Sequence, residues 1–268
     1  DAIAAWPSAD LTVIAAVGFV GVRPTLAAIS AGKQIALANK EALVAAGSVI
    51  MPLAEKHSVA IAPIDSEHSA IWQCLRAGGL HEVRRLILTA SGGPFRQRPL
   101  GTFNAITPAE AEFRDGSVIA QLGVPDMTLP IAHALFYPER VAAHAHSVRF
   151  DPTAAGALEF STPEPERYPA LALARRAYAM GPTGGAVLNA ADEVAVAAFL
   201  DGRIRFPQIV QLVESVLNEH NVVSRPTIDD IESVDRWARK RAGELVAGAS
   251  TRSVTTGWNR KSDLQELD

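Results

Sequence analysis

The 268 residues include one cysteine, three methionines and an aromatic fraction of only 6%. A lone Cys74 excludes an intramolecular disulfide and fits a reducing compartment. Its setting, Ile71-Trp72-Gln73-Cys74-Leu75, is helical and apolar, which predicts a buried small hydrophobe rather than a reactive thiol. No apolar run is long enough to span a bilayer, and no basic-then-apolar leader opens the chain, so no membrane partner is expected. The first residue is Asp1 rather than Met, which predicts upstream truncation or processing. Strong charge of one sign is also missing. The formal net charge is −4 with Lys and Arg scattered, so no nucleic-acid partner is expected. Hydrophobic residues make up 48%, enough for one large domain or two small ones. No internal repeat is evident.

Apolar runs and turn residues alternate through the first third of the chain. Leu11–Val17, Lys33–Ala38 and Val59–Ala62 read as strands, with helices through Pro24–Ile29, Glu41–Leu53 and His68–Leu75. Strand–helix alternation at this spacing predicts an α/β unit with a parallel sheet. Val83–Ala90 and Ser117–Leu122 read as further strands, Arg96–Glu112 as polar and irregular, and Leu129–Phe136 as a helix. A proline-rich passage from Thr162 to Pro169 reads as a linker. Beyond it, Ala170–Met180, Ala186–Leu200, Phe206–His220 and Asp229–Ala247 read as a helical bundle. In it, Ala190, Val194, Ala197 and Ala198 form a face of small side chains suited to close packing. The period lapses from Ser250 to Asp268, which predicts a disordered tail.

Three short stretches carry candidate chemistry, and all follow strands, where ligands of parallel sheets bind. In Pro63-Ile64-Asp65-Ser66-Glu67-His68, an extended backbone would send Asp65 and Glu67 to one face and Ser66 to the other. Two converging carboxylates supply hard oxygen ligands for a divalent metal, although acidic residues after a strand also make ordinary solvated turns. His68 reads as an orienting or capping group rather than a ligand. In Asn39-Lys40-Glu41, Asn39 and Glu41 fit a helix cap, and Lys40 offers a point charge for an anionic group. In Ser91-Gly92-Gly93, the glycines let backbone N–H groups and the Ser91 hydroxyl approach a phosphate, or form a plain loop. His144 and His146 read as exposed, and Trp72 and Met127 as core.

Taken in order, Leu37–Val44, Ile64–Ile71, Leu88–Phe95, Asp115–Gly123 and Leu188–Leu200 resemble the 1-deoxy-D-xylulose-5-phosphate reductoisomerase family, over a span from Leu11 to Arg239. The resemblance implies an NADPH-binding α/β domain, an α/β catalytic domain and a C-terminal helical bundle. The corresponding limits here are 1–62, where only a remnant of the cofactor domain is expected, 63–160 and 161–249, with the tail at 250–268. It implies Asp65 and Glu67 as ligands of Mg2+, Mn2+ or Co2+, and Lys40, Ser66, Glu67 and Ser91 as contacts to a phosphorylated sugar-like substrate. Lys40 and Glu67 would be catalytic, and Asn39 and Glu41 would face the nicotinamide of NADPH. It also implies a homodimer, or pairing with an intact copy, through the sheet that includes Ser117–Leu122. The compartment implied is the bacterial cytoplasm or a plastid-like organelle.

The chain departs from that pattern in two places. No phosphate-binding glycine loop precedes Leu11, and Val17-Gly18-Phe19-Val20-Gly21 does not replace one. After Thr107-Pro108-Ala109-Glu110-Ala111 the family continues through a flap and a segment bearing a third metal carboxylate and the phosphate-gripping Asn and Lys. Here Glu112-Phe113-Arg114-Asp115-Gly116-Ser117 follows at once. Glu112 aligns with the strand after that segment and is not promoted to a ligand. The expectation is therefore a family enzyme whose shortened chain turns over little or no substrate. The alternative is a catalytically dead homologue that serves as a dimerising or binding module.

Overall fold

A computed structural model describes residues 1–89, 109–124, 126–142, 150–151, 153 and 160–254, with the backbone alone for 249–254. Two compact units make up the chain. The first holds Asp1–Ala16, Arg23–Lys40 and Ala54–Ser161, and the second Val17–Val22, Glu41–Leu53 and Thr162–Asp268.

In the first unit, strands β1 (Leu11–Ile14), β2 (Gln34–Leu37) and β3 (Ile61–Pro63) form a parallel sheet in sequence order. Leu11 pairs with Gln34 and Leu37 with Pro63. Helix α1 (Val22–Ser30) connects β1 to β2, and the chain between β2 and β3 forms α2 (Lys40–Lys56), of which Glu41–Leu53 belongs to the second unit. The carboxyl ends of β2 and β3 thus lie together, and each runs directly into a candidate stretch. Helix α2 is kinked at Ala46, six residues before an internal Pro52 that has no N–H to give the carbonyl of Ser48. After β3 comes α3 (Ser66–Cys74).

A second, antiparallel sheet consists of β4 (Val83–Leu88), β5 (Ala109–Phe113) and β6 (Val118–Gln121), with β5 central. Strand β5 corrects the irregular reading of Arg96–Glu112 at its end. Ala and Glu have low strand propensity, but antiparallel ladders on both sides satisfy this backbone. Ala109, Ala111 and Phe113 are buried, Ala111 and Phe113 in a cluster with Cys74, and the Cys74 thiol donates to the carbonyl of Ala109 at 3.2 Å. Cys74 is buried, as its sequence setting implied. Strand β5 also straddles the junction at Ala111–Glu112. Helix α4 (Thr128–Phe136) follows β6 and packs on β2, β3 and α3.

The second unit is helical: α5 (Pro169–Met180), α6 (Gly184–Leu200), α7 (Phe206–Asn218) and α8 (Ile228–Val254). Its core joins Val187, Ala190, Ala191, Ala195 and Ala198 of α6 to Val213, Val216 and Leu217 of α7 and Ala238, Ala242 and Val246 of α8. Alanine on the buried stripe lets helices approach closely. Two residues depart from the small face read in the sequence: Val194 is half-buried and Ala197 exposed. Helix α8 also runs to Val254, so residues 250–254 of the expected tail are helical, continuing from a helix already nucleated and packed. The rest of the tail, His144 and His146 lie outside the described residues. Met127 is 46% exposed rather than core.

Candidate functional site

The site grows from two strand-to-helix junctions in the first unit. At the first, the chain leaves β2 through Ala38 and Asn39 and enters α2 at Lys40. Asn39 is buried, and its amide donates to the carbonyl of Ala16. Lys40 keeps its side chain 56% exposed, with Nζ 3.7 Å from Oδ2 of Asp65. Glu41 occupies the first turn of α2.

At the second junction, Asp65 is the N-cap of α3, with extended backbone and a carboxylate that accepts from the His68 backbone N–H at 2.8 Å. Here the structure corrects the extended reading of Asp65-Ser66-Glu67. Helix α3 already includes Ser66 and Glu67, because Asp65 satisfies donors that the first turn leaves open. Glu67 therefore comes beside Asp65 by helical geometry, not by strand alternation. The Ser66 hydroxyl donates to Oε2 of Glu67 at 2.7 Å.

His68 completes the cap from the side. Its Nδ1 lies 2.8 Å from Oδ1 and 2.6 Å from Oδ2 of Asp65. Burial pushes the Asp65 carboxyl up, but the His68 hydrogen bonds and the charges of His68 and Lys40 outweigh it and hold it below the usual carboxylate range. The hydrogen bond to Asp65 raises His68 above its ordinary value, against partial burial. Lys40, Asp65, Ser66, Glu67 and His68 thus form one polar cluster. Ser91 lies outside the described residues.

Among the described residues, no group of three or more His, Cys, Asp or Glu side chains stands ready to hold a metal. Two carboxylates and a hydroxyl do meet the chemistry of a hard cation such as Mg2+, which keeps waters and substrate oxygens in its remaining positions. Glu112 is committed elsewhere, with Arg84 Nη1 at 2.6 Å and Arg85 Nε at 2.9 Å. It belongs to the antiparallel sheet, in keeping with its exclusion as a ligand.

Sequence reasoning missed a small cleft, open to solvent, beside this cluster. Ser66, Ser69 and Gln73 of α3 line it with Gln121 at the end of β6 and Asp126, Leu129 and Pro130 at the start of α4. The helical spacing of Ser66, Ser69 and Gln73 was a usable signal. Gln121 and Asp126 gave none, because tertiary packing alone brings them there.

Family models match the chain in three consecutive stretches. The 1-deoxy-D-xylulose 5-phosphate reductoisomerase model covers residues 1–47, the model of its C-terminal domain residues 61–114, and a DXP reductoisomerase C-terminal domain model residues 122–241. The 1-deoxy-D-xylulose 5-phosphate reductoisomerase of Pelotomaculum thermopropionicum is 40% identical over 300 residues, covering 92% of this chain and 77% of the relative. That of Symbiobacterium thermophilum is 43% identical over 293, covering 90% and 75%. Both alignments are longer than the 268 residues present here, so these relatives carry internal positions without a counterpart in this chain. Among solved structures, the Zymomonas mobilis reductoisomerase in complex with NADPH superposes with a TM-score of 0.80 at 35% identity, over 90% of this chain and 76% of its own. A DOX-P reductoisomerase in complex with NADPH, fosmidomycin and magnesium gives 0.82 at 30%, over 96% and 79%.

Proposed function

We infer the activity from kinship: the chain belongs to the 1-deoxy-D-xylulose 5-phosphate reductoisomerase family, and it converts 1-deoxy-D-xylulose 5-phosphate to 2-C-methyl-D-erythritol 4-phosphate with NADPH and a divalent metal. This is a step of isoprenoid precursor synthesis on the non-mevalonate route. The observation that carries the reading is the cluster of Lys40, Asp65, Ser66 and Glu67 at the carboxyl ends of β2 and β3.

Asp65 and Glu67 would hold the cation, with Glu67 also touching substrate. When bound there, a divalent metal supplies Lewis acidity and a template for the ketone and hydroxyl oxygens of the substrate. Lys40 sets a positive charge where an oxyanion develops during the rearrangement. Ser66 gives a hydroxyl to the substrate, and Ser91 is assigned the same task. His68 holds the Asp65 carboxylate ionised and oriented, which both metal binding and capping need. Asn39 and Glu41 are assigned to the nicotinamide side. Residues 1–62 are assigned to the cofactor domain, 63–160 to the catalytic domain and 161–249 to the helical domain.

The same reading places the protein in a bacterial cytoplasm, as its curated relatives are bacterial. Among the described residues no helix is long and apolar enough to cross a membrane. It also pairs two copies, or this chain with an intact copy, through the sheet of β4 to β6, where Val118 and Ile119 on the edge strand β6 are exposed. The test is NADPH oxidation followed by absorbance, with product identified by mass spectrometry. The family activity predicts consumption that requires both substrate and Mg2+ or Mn2+, and the internal positions this chain lacks predict that it is slow. Absence of turnover by a folded chain that still pairs would overturn it in favour of a binding module.

A further inference from the structure

Helix α4 reads Thr-Leu-Pro-Ile-Ala-His-Ala-Leu-Phe, and His133 is its one ionisable side chain. Ala134 is buried with Ala36 and Ile64 against the parallel sheet, while His133 meets α3. The His133 ring is 9% exposed, 4.9 Å from the Trp72 ring and edge-on to Tyr137 at 5.7 Å. Neither Nδ1 nor Nε2 has a hydrogen-bond partner among the described residues. A buried imidazole that gives up water and gains no partner is costly, so it calls for a reason.

The surroundings of the ring are aromatic and cationic. The guanidinium of Arg76 stacks on both Trp72, at 5.1 Å, and Tyr137, at 4.7 Å. Arg140 donates to Oε1 of Gln73 at 2.9 Å. The charges that act on the ring are those of Arg140 and Arg76, both positive. Strands β2 and β3, against which α4 also packs, carry no charged residue. The charged residues of α3, Glu67 and His68, sit in its first turn, and its Cys74 thiol, buried against β5 and held above its ordinary pKa by burial, stays neutral. Gln73 of α3 and Leu129 and Pro130 of α4 line the cleft that holds Ser66, so the α3–α4 seam filled by His133 is a wall of that cleft.

We propose that His133 is a positioning residue that acts as a proton-sensitive wedge: neutral, it fills the α3–α4 seam and keeps the Ser66 cleft in shape, and protonated, it becomes a third cation beside Arg76 and Arg140 and parts the helices. Burial, Arg140 and Arg76 all hold its pKa below the ordinary value. The unfolded chain therefore takes up a proton near pH 6.5 before the folded one does. Stability from the neutral ring is complete above that pH and is lost as pH falls toward the folded pKa. One proton limits the slope to about tenfold in the folding constant per pH unit.

The experiment compares wild type with His133→Phe, which keeps an aromatic ring and removes the titration. Urea midpoints are measured from pH 8 to pH 5, together with histidine ring 15N shifts of the full chain. The expected result is a His133 resonance that titrates below the ordinary histidine range and a midpoint that falls with acid more steeply in wild type than in the variant. Trp72 emission should change with the same midpoint, and only when His133 is present. If the variant fails to fold, His133→Gln and the wild-type 15N titration carry the test. Equal pH dependence in both proteins, or a His133 titrating at or above pH 6.5, overturns the proposal. None of these readouts uses turnover, so the result stands apart from the assigned activity.

Discussion

The two units bury their interiors differently. The helical unit has one continuous cluster that runs through α5, α6, α7 and α8, and its half-buried His220 has a partner: Nε2 lies 2.8 Å from Oγ1 of Thr183. In the sheet-bearing unit Ile29, Ile35 and Ala36 are fully buried around the parallel sheet, Ala36 also clusters with Ile64 and Ala134, and the buried His133 has no hydrogen-bond partner among the described residues. This unit also holds Lys40, Asp65, Ser66 and Glu67. The difference is one of kind: the bundle is held by apolar stripes along helix faces, whereas the sheet-bearing unit also leaves polar groups available at its strand ends, where the candidate site lies.

The largest expected effect tests the chemical side. Asp65→Asn keeps a side-chain oxygen to cap α3 but removes the charge that Lys40 and His68 face. Isothermal titration of Mn2+ into the chain should show a loss greater than the ~10–100-fold typical of supporting residues. Asp235→Asn in α8, a buried carboxylate paired with Arg239, should leave Mn2+ affinity unchanged. Equal losses in both would erase the distinction between the units.

Next comes the packing side. Leu217→Ala in α7 removes a fully buried side chain from the continuous cluster and should cost ~2–5 kcal/mol in chemical denaturation. A cost well under that range would mean the helical core collapses around the hole and is less rigid than its burial implies. Gly185→Ala belongs to the same test. A Cβ there would lie 2.0 Å from the carbonyl oxygen of Val44, and the overpacking should cost about 1–3 kcal/mol.

The same difference explains what could be read from sequence. Leu11–Ile14 and Gln34–Leu37 announced themselves by apolar runs, and α5 to α8 by period, because burial on one face imposes a pattern. Strand β5 gave no such signal, since Ala109-Glu110-Ala111-Glu112 is alanine and glutamate, and Glu112 is tolerated only because Arg84 and Arg85 meet it. The candidate residues were legible because they cluster after strands. Their geometry was not, because Pro63-Ile64-Asp65 reads as extended until the Asp65 carboxylate turns back to cap His68. The cleft residues Gln121 and Asp126 depend on contacts between elements distant in sequence.

A smaller effect sharpens the contrast between the two histidines. Burial holds His220 below its ordinary pKa, so its neutral form stabilises fully above about pH 6.5 and less as pH falls through the folded value. Thr183→Val removes the hydroxyl that also accepts from the Val223 N–H. Taking that partner from two half-buried residues should cost about 0.5–1.5 kcal/mol at pH 7.5. His133 has no hydrogen bond of this kind to lose, so replacing its neighbour Tyr137 by Phe should change stability far less at that pH.

The smallest expected effect is the one that can break the comparison. Leu88 closes β4 opposite Ala109 and is 58% exposed, with Leu86 on the same strand and Val118 and Ile119 on β6 also exposed. For a chain that stays single, Leu88→Ala should change stability by less than ~0.5 kcal/mol, since little apolar area leaves water at that position. If two copies pair through this sheet, the exposure is only that of one subunit and the residue lies in an interface. The cost then rises and depends on protein concentration, because dissociation precedes or accompanies unfolding. Denaturation at two concentrations, with sedimentation of the same samples, separates the cases. A concentration-independent cost under the stated limit keeps this face of the antiparallel sheet on the surface of a single chain. A large, concentration-dependent cost would mean that a second copy covers this face, so that the two units differ in what buries them.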